Sequence, residues 1–241
     1  MGISQNHSKH PTTWRSGRIA VAFVVALGLA LIAVAYVFFK MPYEVAYENR
    51  TEDGVLEKIT VWFFWLALLA CMAVVIRRRW VGGCYVAVIL LACILRELDF
   101  HIRPTTADRM EKINSTRWWR SVDVGLIEKL VVAMVFIAIL TALWKLVRGS
   151  GRRWFEDLKR GRPYAISVAG MLLFVAVAYI LDNRLDMDAL DKRQDRLVLL
   201  LSLVEESIEV GVPLLMGLAT VQWAMADARQ PSLADVVTAD E

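Results

Sequence analysis

Ser202 is followed three, four and seven residues later by Glu205, Glu206 and Glu209, all inside an otherwise apolar stretch. That spacing places the four polar side chains along one face of a helix. Ionisable groups within an apolar span are costly and mark functional sites by default. Carboxylates so placed must hold a cation, hold protons or pair with bases. Gly211 and Pro213 come directly after them. Proline removes the hydrogen bond to the carbonyl of Glu209 and favours a kink there, which frees a backbone oxygen close to the carboxylates.

A second set ends in Glu97 and His101, four residues apart, with Cys93 one turn earlier on the same stripe. A carboxylate and an imidazole at this spacing can bind one metal ion or share a proton. Asp99 falls to the side, within reach of Arg96 and Arg103. His101 is the one histidine outside the N-terminal tail, where His7 and His10 sit, which excludes a multi-histidine zinc or di-iron centre. Glu57, Glu128 (beside Lys129) and Asp182 are secondary candidates. Glu57 and Glu128 also have a simpler account, since a helix N-terminus favours an anion.

A metal set of Glu97, His101, Glu205, Glu206 and Glu209 is rich in oxygen. It suits a divalent Mn, Mg or Ca ion better than Fe or Zn. A metal-bound water as nucleophile, with Glu206, Glu209 or His101 moving protons, gives hydrolytic chemistry. The pattern requires the end of the third span to lie within about 12 Å of the glutamates, the limit for side chains sharing one ion.

The elements that must position these residues are membrane helices. The chain is 57% hydrophobic, above the roughly 45–50% of soluble domains, and the apolar residues fall in blocks near the 20 residues that cross a bilayer. The expected fold is an all-α, six-helix transmembrane bundle over 19–225. Its spans lie near 19–39, 57–76, 80–101, 124–147, 163–182 and 197–225, between a basic N-terminal tail (1–18) and a short acidic tail (226–241). The first block is longer than the apolar core of a signal peptide and has no small-residue cleavage site after it, so it reads as a retained helix. Pro163 sits where the fifth span starts, a position that tolerates its missing N–H. Cys71, Cys84 and Cys93 all lie within apolar blocks and read as packing residues. No CxxC spacing, P-loop, internal repeat or low-complexity tract is apparent.

Orientation follows the density of lysine and arginine beside the spans. Residues 1–18, 77–79 and 145–162 hold 13 basic residues in 39 positions, against 13 in 62 for the opposite loops. Both termini are therefore expected in the cytoplasm, in a bacterial inner membrane. Glu57, Glu97, His101, Glu128, Asp182 and the glutamates of the sixth span then share the non-cytoplasmic level. Arg96, Arg103, Lys129, Arg184 and Arg196 lie at that level too, so ion pairing competes with ligand binding.

The expected partners are membrane lipids, with a membrane protein partner or a second copy as a further expectation. The modest net charge of +3 and the siting of basic residues at span ends exclude a nucleic-acid surface. Three function classes fit: a metal-dependent enzyme acting on a lipid-like substrate, a non-catalytic membrane subunit or scaffold, and a cation- or proton-coupled transporter. A transporter fits less well, because the cytoplasmic halves of the spans offer no polar path across the membrane.

Overall fold

The computed structural model describes residues 12–42, 45, 54–98, 119–120, 124–185 and 195–227. It contains six helices and, among the described residues, no strand: α1 (Thr12–Lys40), α2 (Val55–Arg78), α3 (Val81–Glu97), α4 (Leu126–Lys159), α5 (Pro163–Leu185) and α6 (Asp195–Asp227). Four segments are long and apolar enough to cross a bilayer: Ser16–Lys40, Val55–Arg78, Leu126–Lys159 and Pro163–Leu181. Their large apolar side chains point outward, as at Leu29, Trp62, Leu69, Ile137 and Leu173. In water such exposure would be untenable, whereas acyl chains are its natural surroundings.

Successive helices alternate in direction, and side-chain contacts tie the matching ends together. Trp80, which precedes α3, stacks on Trp223 near the end of α6, with ring centroids 4.0 Å apart. Ser167 of α5 donates a hydrogen bond to Gln222 of α6 at 2.9 Å. The start of α1 meets the α4–α5 turn, where a Cβ at Gly17 would come within 2.4 Å of the Gly161 carbonyl oxygen. These contacts define a basic end of the bundle, which carries Arg77, Arg78, Arg79 and the terminal turns of α4. The glutamates occupy the other end.

Helix α6 is the hub. It packs against α1, α2 and α5, and its residues are buried on most sides, among them Leu199, Leu203, Ile208, Val210, Leu215 and Ala219. One cluster joins Leu31 of α1, Phe174 and Ala178 of α5, and Ile208, Val210 and Leu215 of α6. A second joins Ala35, Leu56, Leu199 and Leu203 nearer the acidic end. Gly211 makes the close approach possible, because a Cβ there would meet the Phe174 ring at 2.5 Å and Leu31 at 2.8 Å. Helix α3 sits outside this hub, packed on α2 through Phe64, Ala67, Cys71, Leu90 and Ile94. Cys71, Cys84 and Cys93 are free thiols, and Cys71 is a fully buried member of that packing.

The α4–α5 turn is built by hydrogen bonds. Gly161 takes φ +68°, a conformation that costs glycine nothing. Its N–H donates to the Leu158 carbonyl at 2.9 Å and that of Arg162 to the Asp157 carbonyl at 3.0 Å, the paired bonds that close a helix C-terminus. Asp157, almost wholly buried, takes an ion pair from Arg162 at 3.0 Å and a hydrogen bond from the Tyr164 hydroxyl. The Trp154 indole N–H donates to the Ala165 carbonyl at 3.2 Å.

Helix limits differ from the expected spans in a consistent way. α4 runs on to Lys159 rather than stopping near 147, and α6 runs from Asp195 to Asp227. Charged side chains end an apolar block, but they do not end a helix whose backbone bonds continue. α3 ends at Glu97, with Leu98 leaving the helix; the expected continuation to His101 lies outside the described residues.

Candidate functional site

The acidic end is assembled from the first turns of α2, the last turn of α3 and the first half of α6. In α2, Gly54 precedes the helix and Glu57 is the third residue within it. In α4, Gly125 and Glu128 hold the same two positions. The chain thus uses one short pattern twice, Gly54-Val55-Leu56-Glu57-Lys58 and Gly125-Leu126-Ile127-Glu128-Lys129, which a comparison of the two span starts would have revealed. A glutamate in the first helical turn faces the unpaired N–H groups and the positive end of the helix dipole. Glu128 follows that logic: its carboxyl carbon lies 4.0 Å from where a Cβ of Gly125 would be, so the side chain folds back over the start of its own helix. Its Oε2 is buried with no hydrogen-bond partner.

Glu57 belongs to a larger assembly. Glu206 stands within electrostatic reach of Glu209, Glu205, Glu97 and Glu57. These carboxylates come from α6, from the end of α3 and from the start of α2. Arg96 of α3 reaches across to Glu209 of α6, with Nη2 3.6 Å from Oε1. Arg96 thus ties the end of α3 to Glu209, and Glu97 is the next residue of the same helix. Cys93, one turn before Glu97, is within reach of Glu97, Arg96 and Glu209 as well. Ser202 begins the same stripe and is buried.

The remaining candidates are His101, Asp182 and Glu128. His101, Asp99 and Arg103 lie outside the described residues. Asp182 lies within α5, and only its backbone is described. Glu128 starts α4, a helix that contacts α3 but is not packed on α6. Among the described residues, no three histidine, cysteine, aspartate or glutamate side chains are grouped so as to hold a metal ion.

Pro213 lies inside α6 and is fully buried. It stands four residues beyond Glu209 and removes the N–H that would bond the Glu209 carbonyl. Ser207, on the other side of α6 from the glutamates, is wholly buried, and its hydroxyl has no hydrogen-bond partner.

The arrangement offers carboxylates from three helices, one arginine that ties two of those helices together, and a proline-weakened stretch of backbone just beyond. Like groups arranged in this way can bind positive charge or exchange protons. No family model matches this chain, and neither a curated protein nor a solved structure matches it.

Proposed function

We propose that this chain is a six-span membrane protein whose function resides in the carboxylate site formed by α2, α3 and α6, and that the site takes up a positively charged species, a divalent cation or protons. The reading adds α3 and α6 to the four long apolar helices as crossings. It also places the site at the non-cytoplasmic side, opposite the basic turns, in line with the density of lysine and arginine. One observation carries it: Arg96 of α3 meets Glu209 of α6 at 3.6 Å, beside a Glu206 that lies within electrostatic reach of Glu57, Glu97 and Glu205. Helices do not bring five carboxylates to one membrane level without a positive partner, because the mutual repulsion is strong where water is scarce.

Arg96 supplies part of that compensation through Glu209. A cation or protons supply the rest, and their arrival and departure shift how tightly α3 is held against α6. If the species is a divalent metal, Glu206 and Glu209 are the groups suited to activating its bound water against a lipid-like substrate.

The test is the metal content of the full-length protein purified in detergent, beside Glu206→Gln, together with a titration by Mn²⁺, Mg²⁺ and Ca²⁺ followed by calorimetry. Binding near one ion per chain, weakened at least about tenfold by Glu206→Gln, supports the cation form of the proposal. Proton uptake without metal binding, lost in the same variant, supports the proton form. Unchanged behaviour of Glu206→Gln in both assays overturns the proposal.

A second reading is that of a membrane subunit held against a partner protein or a second copy. It is favoured by α4, whose membrane stretch is only 6% buried within this chain. Cross-linking in native membranes from a site on the outer face of α4, such as Ile137, would yield one discrete adduct if this reading holds and none if lipid alone covers the face.

A further inference from the structure

Helix α4 has 34 residues, which makes it about 51 Å long at 1.5 Å per residue. A bilayer core is about 30 Å thick. The stretch from Leu126 to Trp144 covers about 28 Å and crosses the core by itself, leaving exposed Trp144 at the level that tryptophan favours. The helix then continues through Lys145, Arg148, Arg152, Arg153 and Lys159.

Yet α5 starts its own apolar crossing at Pro163, just beyond the Arg160–Arg162 turn. The segment 145–162 therefore starts and finishes at the same membrane surface. Its basic residues thus lie next to the headgroups of that surface. In the bundle, α4 packs on α3 and meets α5 at their shared turn.

At 100° per residue, Lys145, Arg148, Arg152 and Lys159 fall within about 60° of one another around the helix. All four are exposed, and exposed Trp144 and Phe155 border one edge of the stripe. The opposite side, with Asp157 and Trp154, faces the bundle. Nearby acids offset one of the four charges: Asp157 is buried against Arg162, away from the stripe, while Glu156 pairs with Arg152 at 3.5 Å. The Arg148 guanidinium lies 5.7 Å from the Trp144 ring centroid, which holds its charge beside the aromatic anchor.

We propose that the stripe of Lys145, Arg148, Arg152 and Lys159 binds the phosphate groups of anionic phospholipids in the leaflet where α4 ends. Interfacial helices with basic stripes and aromatic borders recognise such lipids through charge, and the aromatic rings set the depth. The proposal is independent of the carboxylate site at the other end of the bundle and needs only the α4 and α5 crossings.

The test places the full-length protein in nanodiscs of mixed phosphatidylglycerol and phosphatidylcholine, and measures by mass spectrometry the lipids it retains after mild detergent extraction. Wild type retains phosphatidylglycerol preferentially. A variant with Lys145→Gln, Arg148→Gln, Arg152→Gln and Lys159→Gln loses at least about fivefold of that preference. A variant with Arg77→Gln, Arg78→Gln and Arg79→Gln keeps most of it.

Two outcomes overturn the proposal: no preference in wild type, or equal losses in the two variants, which would mean a general attraction to net positive charge. Should the four-residue variant not fold, Lys145→Gln with Arg148→Gln decides the matter beside Arg77→Gln with Arg78→Gln: a larger loss in the first pair upholds the proposal, and equal losses overturn it.

Discussion

Replacing Asp157 with alanine offers the sharpest check of the packing at the basic end. Its side chain is 3% exposed and meets Arg162, 31% exposed, at 3.0 Å, while the Tyr164 hydroxyl donates to its other oxygen. Asp157→Ala leaves a half-buried guanidinium and a phenol without their acceptor. Breaking a fully buried pair costs about 3–5 kcal/mol. Arg162 keeps part of its surface wet, which brings the expected cost to the lower end, about 3 kcal/mol. For a chain of this size each kcal/mol lowers the unfolding midpoint by about 2–4 °C, so a fall of roughly 6–12 °C is expected. Thermal unfolding in mild detergent, followed by tryptophan fluorescence, measures it. Tyr164→Phe removes one hydrogen bond to a charged group and should cost about 1.5–3 kcal/mol. The neighbouring Arg152–Glu156 pair is the control: at 95% and 50% exposed it is worth about 0–0.5 kcal/mol, so Glu156→Gln should leave the midpoint nearly unmoved. A midpoint for Asp157→Ala no lower than that of Glu156→Gln would refute the reasoning and mean that the turn is held by its backbone bonds alone.

Two further outcomes follow from close contacts. Gly17→Ala drives a methyl to 2.4 Å from the Gly161 carbonyl oxygen, a backbone atom that cannot swing aside. It should destabilise by about 1–3 kcal/mol, whereas Gly28→Ala, whose methyl would rest 3.5 Å from the Phe174 ring, should be neutral in the same melt. Equal midpoints for the two would contradict the placement of α1 against the α4–α5 turn. A double-mutant cycle with Arg96→Gln and Glu209→Gln should give a coupling of about 0.5–1 kcal/mol, kept small because Arg96 is 69% exposed. A cycle that closes to zero would detach α3 from α6.

Much of the fold is legible in the order of the residues, for a physical reason. A bilayer accepts only segments that satisfy their own backbone hydrogen bonds, so a long uncharged block such as Ile19–Phe39 can only be a helix. The limits of those helices are less legible. The charges after Trp144 end the apolar block, but the helix runs on to Lys159, because charged side chains do not interrupt backbone bonding. The α4–α5 knot of Asp157, Arg162 and Tyr164 was invisible in the sequence, where the basic residues of 145–162 read as a topology signal and as lipid-headgroup contacts. Its buried carboxylate depends on how tightly the turn closes.

The candidate site divides along the same line. Helical spacing alone puts Ser202, Glu205, Glu206 and Glu209 on one face. Glu57 and Glu128 look alike in the chain, each the third residue of its helix after a glycine. The tertiary structure separates them: α2 packs against α6, which brings Glu57 towards Glu206, while α4 packs on α3 and leaves Glu128 folded over its own helix start. By itself the sequence determined where the long apolar helices lie, four of them apolar enough to cross a membrane, and which residues are too polar for such surroundings, since both are properties of single helices. Which polar residues meet was decided only by the tertiary structure, because it depends on side-chain packing between helices, set here by the bulk of Phe174 and Leu31 against the missing side chain of Gly211.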